Sequence, residues 1–478
     1  MIIPDQMYIN GAWMDAADGA RIEIINPATE ETVGAVPRAA PADVEAALAA
    51  ADRAWGLWRQ TDAWTRSAAL RRMAVLVRDR ADRIAAVMTE EMGKPLKEAK
   101  SEVLAAADQF DWYADEARRI YGRVIDGHSQ AHRLLVRREP IGPVAAFSPW
   151  NFPALLAARK IAPAVAAGCS IIVKPAREAP RTTLNLAQAC HDAGLPAGVV
   201  NVITGDSAPI SRQLIASPVI RKISLTGSVA VGREILRLCA EGIKPVTMEL
   251  GGHAPVLVFE DADVEQAAAI CAAGKFRNCG QVCIAASRFY AQETVAERFV
   301  ERFVAATRAL RLGDGRDPAT EVGPLAGPRR LAATEQLVQD ALAKGAVLGC
   351  GGRRATQFRR GFYYEPTVLT RVNASMRIMG EEPFCPVAPI ATFRDLDDAL
   401  AQANATDFGL AGYVFTRQTR TAFLAAEGLE VGMVGVNNLV IAAAEIPFGG
   451  VKQSGFGREG GREGILDYTT TKYMNILL

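Results

Sequence analysis

Residues 143–175 read PVAAFSPWNFPALLAARKIAPAVAAGCSIIVKP, and the fold turns on that stretch. PVAAFSP is a short apolar run bounded by prolines, the length of a buried strand. ALLAARKIAPAVAAG has helical length and apolar character, and SIIVKP is a second buried run. Strand, helix and strand within about thirty residues make one βαβ unit. The rhythm then continues. RTTLNLAQACHDAGLP and SVAVGREILRLCAEG read as helices, while VVNVITG, RKISLTG and KPVTMELGG read as strands. Repetition over about a hundred residues predicts a parallel sheet covered by helices.

Working outward, YINGAW and IEIINPATEETVGAVP read as short strands joined by turns. Three stretches with helical spacing follow, the last being SEVLAAADQFDWYADEARRIYG, whose Gly122 suits a helix stop. On the other side, APVLVFEDAD opens a second α/β stretch that runs to about Val436. It includes VAERFVERFVAATRAL, where Phe299 and Phe303, and Val300 and Val304, share a face. The tail PFGGVKQSGFGREGGREG is glycine-dense and reads as a loop.

The chain has 478 residues and a net charge of +1. Such a balance gives no electrostatic footprint for nucleic acid or an anionic membrane. Its longest apolar stretch, Ile161 to Val173, is too short to cross a bilayer. MIIPDQMYINGAW lacks the basic segment and apolar core of a signal peptide. Eight cysteines without a regular framework point to reduced thiols and a cytoplasmic location. The four histidines, His128, His132, His191 and His253, do not pair with cysteines or carboxylates at metal-ligand spacing, so no metal is expected.

Several motifs carry chemistry, each beside a plainer reading. Gly455, Gly457 and Gly460 form G-x-G-x-x-G but lack the strand before and helix after that a dinucleotide turn requires. SLTGSVAVG follows a strand and opens a helix, so Gly227 and Ser228 suit either a pyrophosphate site or an ordinary helix cap. In FSPWNFP, Asn151 sits between a strand end and a helix start, as an oxyanion donor or a cap. Lys174 falls where open α/β sheets bind ligands, or is simply solvated. Glu249 precedes two glycines, as a general base with a raised pKa or as a turn carboxylate. FRNCGQVC holds Cys279 and Cys283; a nucleophilic thiol needs a cation, base or helix end, and otherwise a buried cysteine is inert.

FSPWNFP, VKPA, LTGS, MELGG, FRNCGQVC, EEPFCPV and PFGGVKQSGFGRE occur in that order, and their spacing closely resembles the aldehyde dehydrogenase superfamily over essentially the whole chain. The resemblance implies an α/β fold with a Rossmann-type cofactor domain, an α/β catalytic domain and a small β oligomerisation element. It implies domains at 1–121 with 141–252, at 253–450, and at 122–140 with 451–478. It makes Cys283, after Gly280, Gln281 and Val282, the nucleophile and Cys279 a bystander. By the same resemblance Asn151 holds the oxyanion, Glu249 activates water, and Lys160 and Glu459 relay protons near the thiol. Trp150, Lys174, Gly227, Ser228, Glu382 and Phe384 match positions that contact NAD(P).

Two departures stand out. Arg177 replaces the carboxylate that many NAD-using members place on the adenine ribose, which leans the cofactor expectation toward NADP. Cys385 occupies the usual glycine position after Phe384. The chain is most like the succinate-semialdehyde dehydrogenase subgroup: Arg159 and Arg277 match two arginines that hold the substrate carboxylate there, whereas the subgroup's serine aligns with Ala442 or Ala443. The expected reaction is NAD(P)-dependent oxidation of a short ω-carboxy aldehyde, against a broad-range or aromatic aldehyde dehydrogenase or a silent protein of the same fold. The C-terminal ILDYTTTKYMNILL reads as an edge strand that pairs with a neighbour, and a homodimer or homotetramer is expected.

Overall fold

The structure, a computed structural model, describes residues 5–478, so the first four residues of the N-terminal stretch lie outside it. Five strands form the predicted parallel sheet: β1 (Val144–Ser148), β2 (Ile171–Pro175), β3 (Val200–Val202), β4 (Lys222–Thr226) and β5 (Val246–Glu249). Their spatial order is β3-β2-β1-β4-β5. The helices between them are α1 (Leu155–Ala167), α2 (Pro180–Asp192), α3 (Ser207–Ala216) and α4 (Val229–Gly242). β1, β2 and β3 are almost fully buried, which is why they read as continuous apolar runs. The order reverses between β1 and β4, and that switch point opens a crevice beyond the carboxyl ends of the strands.

A second sheet holds β6 (Ala254–Val258), β7 (Ala286–Gln292), β8 (Thr367–Thr370), β9 (Val387–Phe393), β10 (Ala411–Phe415) and β11 (Met433–Val436). They lie parallel in the order β8-β9-β7-β6-β10-β11, and Val347–Cys350 adds an antiparallel edge beside β8. Helix α5 (Val264–Phe276) crosses from β6 to β7 and delivers the cysteine loop. Phe299 and Phe303 are fully buried in this sheet's core, with Val300 and Val304 packed at its margin.

A third, three-stranded sheet joins Thr469–Leu477 to His132–Pro140 and then Arg123–Asp126, all antiparallel. The C-terminal strand is therefore an edge, and Tyr473 and Leu477 on it are exposed.

Gly122 does not stop a helix. The α-helix ends at Glu116 with a 3-10 turn to Arg119. Gly122 lies beside the hairpin, where a Cβ would fall 2.3 Å from the Val136 carbonyl oxygen. Gly455, Gly457 and Gly460 all have positive φ, but Gly455 opens a short return strand antiparallel to β5 and the other two follow it, so they form no βαβ turn. A Cβ on Gly455 would sit 1.9 Å from the Met248 carbonyl oxygen, so close backbone approach explains that glycine.

Candidate active site

The crevice at the switch point holds a cavity of about 380 Å³. Trp150, Lys174, Gly227, Ser228, Glu382 and Phe384 line it, and so do Asn151 and Cys283. Val231, Ile235 and Leu250 supply an apolar wall. Ser228 caps α4, its Oγ accepting from the Val231 N–H at 3.4 Å, so the capping reading holds while the residue also faces the cavity. Lys174 lies within β2, and it is buried rather than solvated. Its Nζ donates to Ser207 Oγ at 2.5 Å, and burial brings its pKa down to about 8. Trp150 and Phe384 meet edge to face at 5.6 Å. Arg177 is exposed and is not among the lining residues, although its neighbour Ala176 is.

The cysteine loop is built for rigidity. After α5, Asn278, Cys279 and Gly280 take consecutive left-handed conformations, with φ of 48°, 56° and 71°. Gly280 has no room for a side chain, because a Cβ would lie 2.2 Å from the Cys385 carbonyl oxygen. Asn151 Nδ2 donates to the Gln281 carbonyl at 3.1 Å. Asn278 Nδ2 donates to that carbonyl and to the Asn151 carbonyl, both at 3.2 Å. Gln281 Oε1 accepts from the Ala326 N–H at 2.8 Å, and Tyr413 Oη donates to the Ile284 carbonyl at 2.6 Å.

This geometry separates the two cysteines. Cys283 reaches the cavity, while Cys279 is wholly buried and burial pushes its thiol pKa up. Cys385 is buried within reach of the Lys275 charge. The left-handed residue there is Phe384, at φ 45°, so position 385 has no conformational need for glycine.

Glu249 ends β5, and neither of its buried carboxylate oxygens has a protein hydrogen-bond partner among the described residues. Burial raises its pKa well above the ordinary carboxylate value, and the nearby Glu459 carboxylate raises it further. Lys160, Arg159 and Arg458 act in the opposite sense. Lys160 and Glu459 form a fully buried ion pair, and Lys160 Nζ also donates to Thr226 Oγ1 at 2.8 Å and Ser224 Oγ at 3.2 Å. Enclosure pushes the Cys283 thiol up to about 12, with Glu382 adding to the rise and Arg159 opposing it. Glu382 Oε1 accepts from the Gly252 N–H at 3.1 Å, and burial brings Glu382 up to about 7.

Residues 13–474 match the aldehyde dehydrogenase family. The chain belongs to that family. It is 45% identical over 471 residues to the succinate-semialdehyde dehydrogenase [NADP(+)] of Escherichia coli strain K12, covering 98% of this chain and 97% of that one. It is 44% identical over 471 residues to the glutarate-semialdehyde dehydrogenase of Pseudomonas putida, with 98% and 97% covered. A crystal structure of an E. coli NADP-dependent enzyme superposes with a TM-score of 0.98 at 44% identity, covering 100% of this chain and 98% of that one. The fold is the aldehyde dehydrogenase fold, and the chain is an NAD(P)-dependent aldehyde dehydrogenase.

In this aldehyde dehydrogenase the two arginines do not share a cavity. Arg159 is buried on α1, its guanidinium 4.2 Å from the Phe448 ring centroid. It lines a cavity of about 440 Å³ with Gln109, Trp112 and the run Ala442–Ala444. Arg159 Nε and Gln109 Oε1 are buried without protein partners among the described residues. Arg277 is exposed, 5.2 Å over the Phe152 ring, and lines a separate cavity with Tyr413, Leu439 and Val440.

Sequence reasoning missed Arg330, Ser207 and Gln109. Arg330 lines the cofactor cavity and donates to the Pro383 and Phe384 carbonyls at 2.5 and 2.9 Å. None of the three lies in a motif, and all are brought in by long-range packing.

Proposed function

We propose that this enzyme oxidises a short aldehyde with a remote anionic group, succinate semialdehyde first, using NADP in preference to NAD. The observation that carries the reading is the buried Arg159 guanidinium, with an Nε that no protein group among the described residues satisfies, in a cavity next to the Cys283 site. A carboxylate arriving there would complete a charge-assisted hydrogen bond. The two semialdehyde dehydrogenases similar to this chain support it.

The cavity fits a nicotinamide dinucleotide. Gly251 has no room for a side chain, since a Cβ would lie 2.4 Å from Glu382 Oε2. The N-terminus of α4 offers free N–H groups to a pyrophosphate, and the apolar wall suits a base. Lys174 and Ser207 would hold the adenosine ribose, with Arg177 reaching in from the rim toward a 2′-phosphate. Glu382 and Phe384 would hold the nicotinamide end. When bound, the cofactor accepts hydride from the substrate carbon.

Glu249 takes the Cys283 thiol proton and passes it to the Lys160–Glu459 pair, and the thiolate attacks the aldehyde carbonyl, with the Asn151 amide and the Cys283 N–H holding the oxyanion. Loss of hydride leaves a thioester on Cys283. Glu249 then takes a proton from water, which cleaves the thioester and releases the acid. Lys160 and Glu459 carry that proton onward. The three-stranded sheet serves assembly of a homodimer or homotetramer in the cytoplasm. Residues 1–121 with 141–252 form the cofactor unit, 253–450 the catalytic unit, and 122–140 with 451–478 the assembly unit.

Steady-state kinetics with two aldehydes and two cofactors test this. The largest kcat/KM is expected for succinate semialdehyde with NADP, by about tenfold or more over butanal with NADP. Equal values for the two aldehydes reject the anionic substrate. A kcat/KM for NAD far above that for NADP rejects the role of Arg177. Cys283→Ala removes turnover of every aldehyde, and full activity in that variant rejects the mechanism.

A further inference from the structure

Lys94 is a buried charge beside the site that the reaction just described leaves unused. It sits in the link Gly93-Lys94-Pro95 between the helices Ala81–Met92 and Leu96–Glu116. Gly93 ends the first helix at φ 78°, where a Cβ would fall 2.5 Å from Pro324 Cγ. Lys94 is 1% exposed. Its Nζ donates to the Asn151 carbonyl at 2.7 Å, pairs with Glu102, and lies 3.8 Å from the Phe152 ring centroid.

Glu102 extends the contact. Its Oε1 accepts from the Ala154 and Leu155 N–H groups at 2.9 and 3.2 Å. Those donors open α1, whose N-cap residue, Ala154, supplies no side-chain cap. One turn earlier on the same helix, Glu98 Oε2 accepts from the Asn278 N–H at 2.9 Å. Asn278 Nδ2 returns to the Asn151 carbonyl. The start of the Leu96–Glu116 helix thus grips the Asn151 peptide, the first turn of α1 and the cysteine loop together.

A buried ion pair is a weak source of stability, since apolar residues of similar volume often do as well. What an ammonium adds here is directed donors to one particular backbone carbonyl. We propose that Lys94 is a positioning residue for the oxyanion: it fixes the Asn151 peptide and, through Glu102, the entry to α1, so that the Asn151 amide keeps its placement against Cys283. The proposal rests on the roles given to Asn151 and Cys283 above.

A double-mutant cycle between Lys94→Met and Asn151→Ala tests it, each variant first checked for folding and NADP binding. Lys94→Met should lower kcat by about 10²-fold, the scale of losing one oxyanion donor, while KM for aldehyde and cofactor moves less than about threefold. Lys94→Arg should restore part of the rate. In the Asn151→Ala background Lys94→Met should cost little more, because the lysine acts through a group already removed. Wild-type kcat in Lys94→Met, or effects that simply multiply, overturns the proposal. A silent Asn151→Ala overturns the oxyanion reading itself, and the positioning role with it. If Lys94→Met does not fold, Lys94→Met with Glu102→Gln removes both charges, keeps the acceptor for α1, and carries the same cycle.

Discussion

The cysteine loop and the cavity around Arg159 lie next to each other and are built in opposite ways. In the loop, Asn151, Asn278 and Gln281 satisfy one another, and even the left-handed backbone is locked by Gly280 against Cys385. In the Arg159 cavity, Arg159 Nε is buried without a protein partner among the described residues, and the lining sets Ala442–Ala444 beside Asp108, Asp111, Asp115 and Glu445. Buried polar groups left unmatched in a folded protein call for an explanation, and a ligand that arrives later is one. The contrast assigns placement of the nucleophile to the satisfied region and substrate choice to the unsatisfied one. A site built to bond a polar group rejects analogues that lack it more strongly than an apolar pocket rejects a missing methylene.

The contrast breaks most visibly at Arg159. Arg159→Leu should raise KM for succinate semialdehyde by about 10- to 100-fold, the range of a hydrogen bond to a charged group, and raise KM for butanal little. Arg159 also pulls down the pKa values of Cys283 and Glu249, so kcat should fall for both aldehydes. The ratio of the two KM changes isolates the substrate tail. Arg277→Leu should give a smaller ratio, because that guanidinium is exposed and solvent screens it. If Arg277 discriminates more strongly than Arg159, the tail binds in the other cavity and the comparison is misdrawn.

Fold and site were legible from sequence to different depths. The parallel sheet could be read because β1, β2 and β3 are buried on both faces, which turns strands into uninterrupted apolar runs. Gly122 misled because a glycine after a helical pattern signals a stop, and nothing local reveals a hairpin carbonyl pressing on it. Cys283 and Cys279 could not be told apart by residue type, only by family pattern; the fold separates them by exposure. Lys94, Ser207, Gln109 and Arg330 carry no local signal, since their partners lie far away in the chain. The resemblance to the semialdehyde subgroup likewise groups Arg159 with Arg277, and only the packing assigns them to different cavities.

A smaller effect is expected at the cofactor end, where the same contrast appears between a buried and an exposed cation. Lys174 is buried and bonded to Ser207, whereas Arg177 stands on the rim. Arg177→Glu should reduce kcat/KM for NADP by about tenfold, or ~1.4 kcal/mol, through repulsion of the 2′-phosphate, and leave NAD nearly unchanged. A ratio of the two cofactors that does not move means that Lys174 and Ser207 alone set the preference.

The finest test lies at the buried Lys160–Glu459 pair, which acts on the unpartnered Glu249 carboxylate. Glu249 must be ionised to take a proton from water, so the rate of thioester hydrolysis climbs as pH rises through its pKa. Burial and Glu459 hold that pKa up, while Lys160 holds it down. Lys160→Met removes the favourable cation and should move the limb of the kcat profile to higher pH. Glu459→Gln removes the repelling carboxylate and should move it to lower pH. Both changes break a buried pair, so each variant is compared at a temperature where it stays folded. Neither partner is among the leading influences on the Cys283 thiol, which they reach through Glu249, so the pH limb of Cys283 alkylation by iodoacetamide should move less than the kcat limb. Opposite shifts in kcat that exceed any shift of the alkylation limb identify Glu249 as the titrating base. Shifts of the same sign, or equal shifts in kcat and alkylation, assign the limb to Cys283 and reduce the Lys160–Glu459 pair to packing.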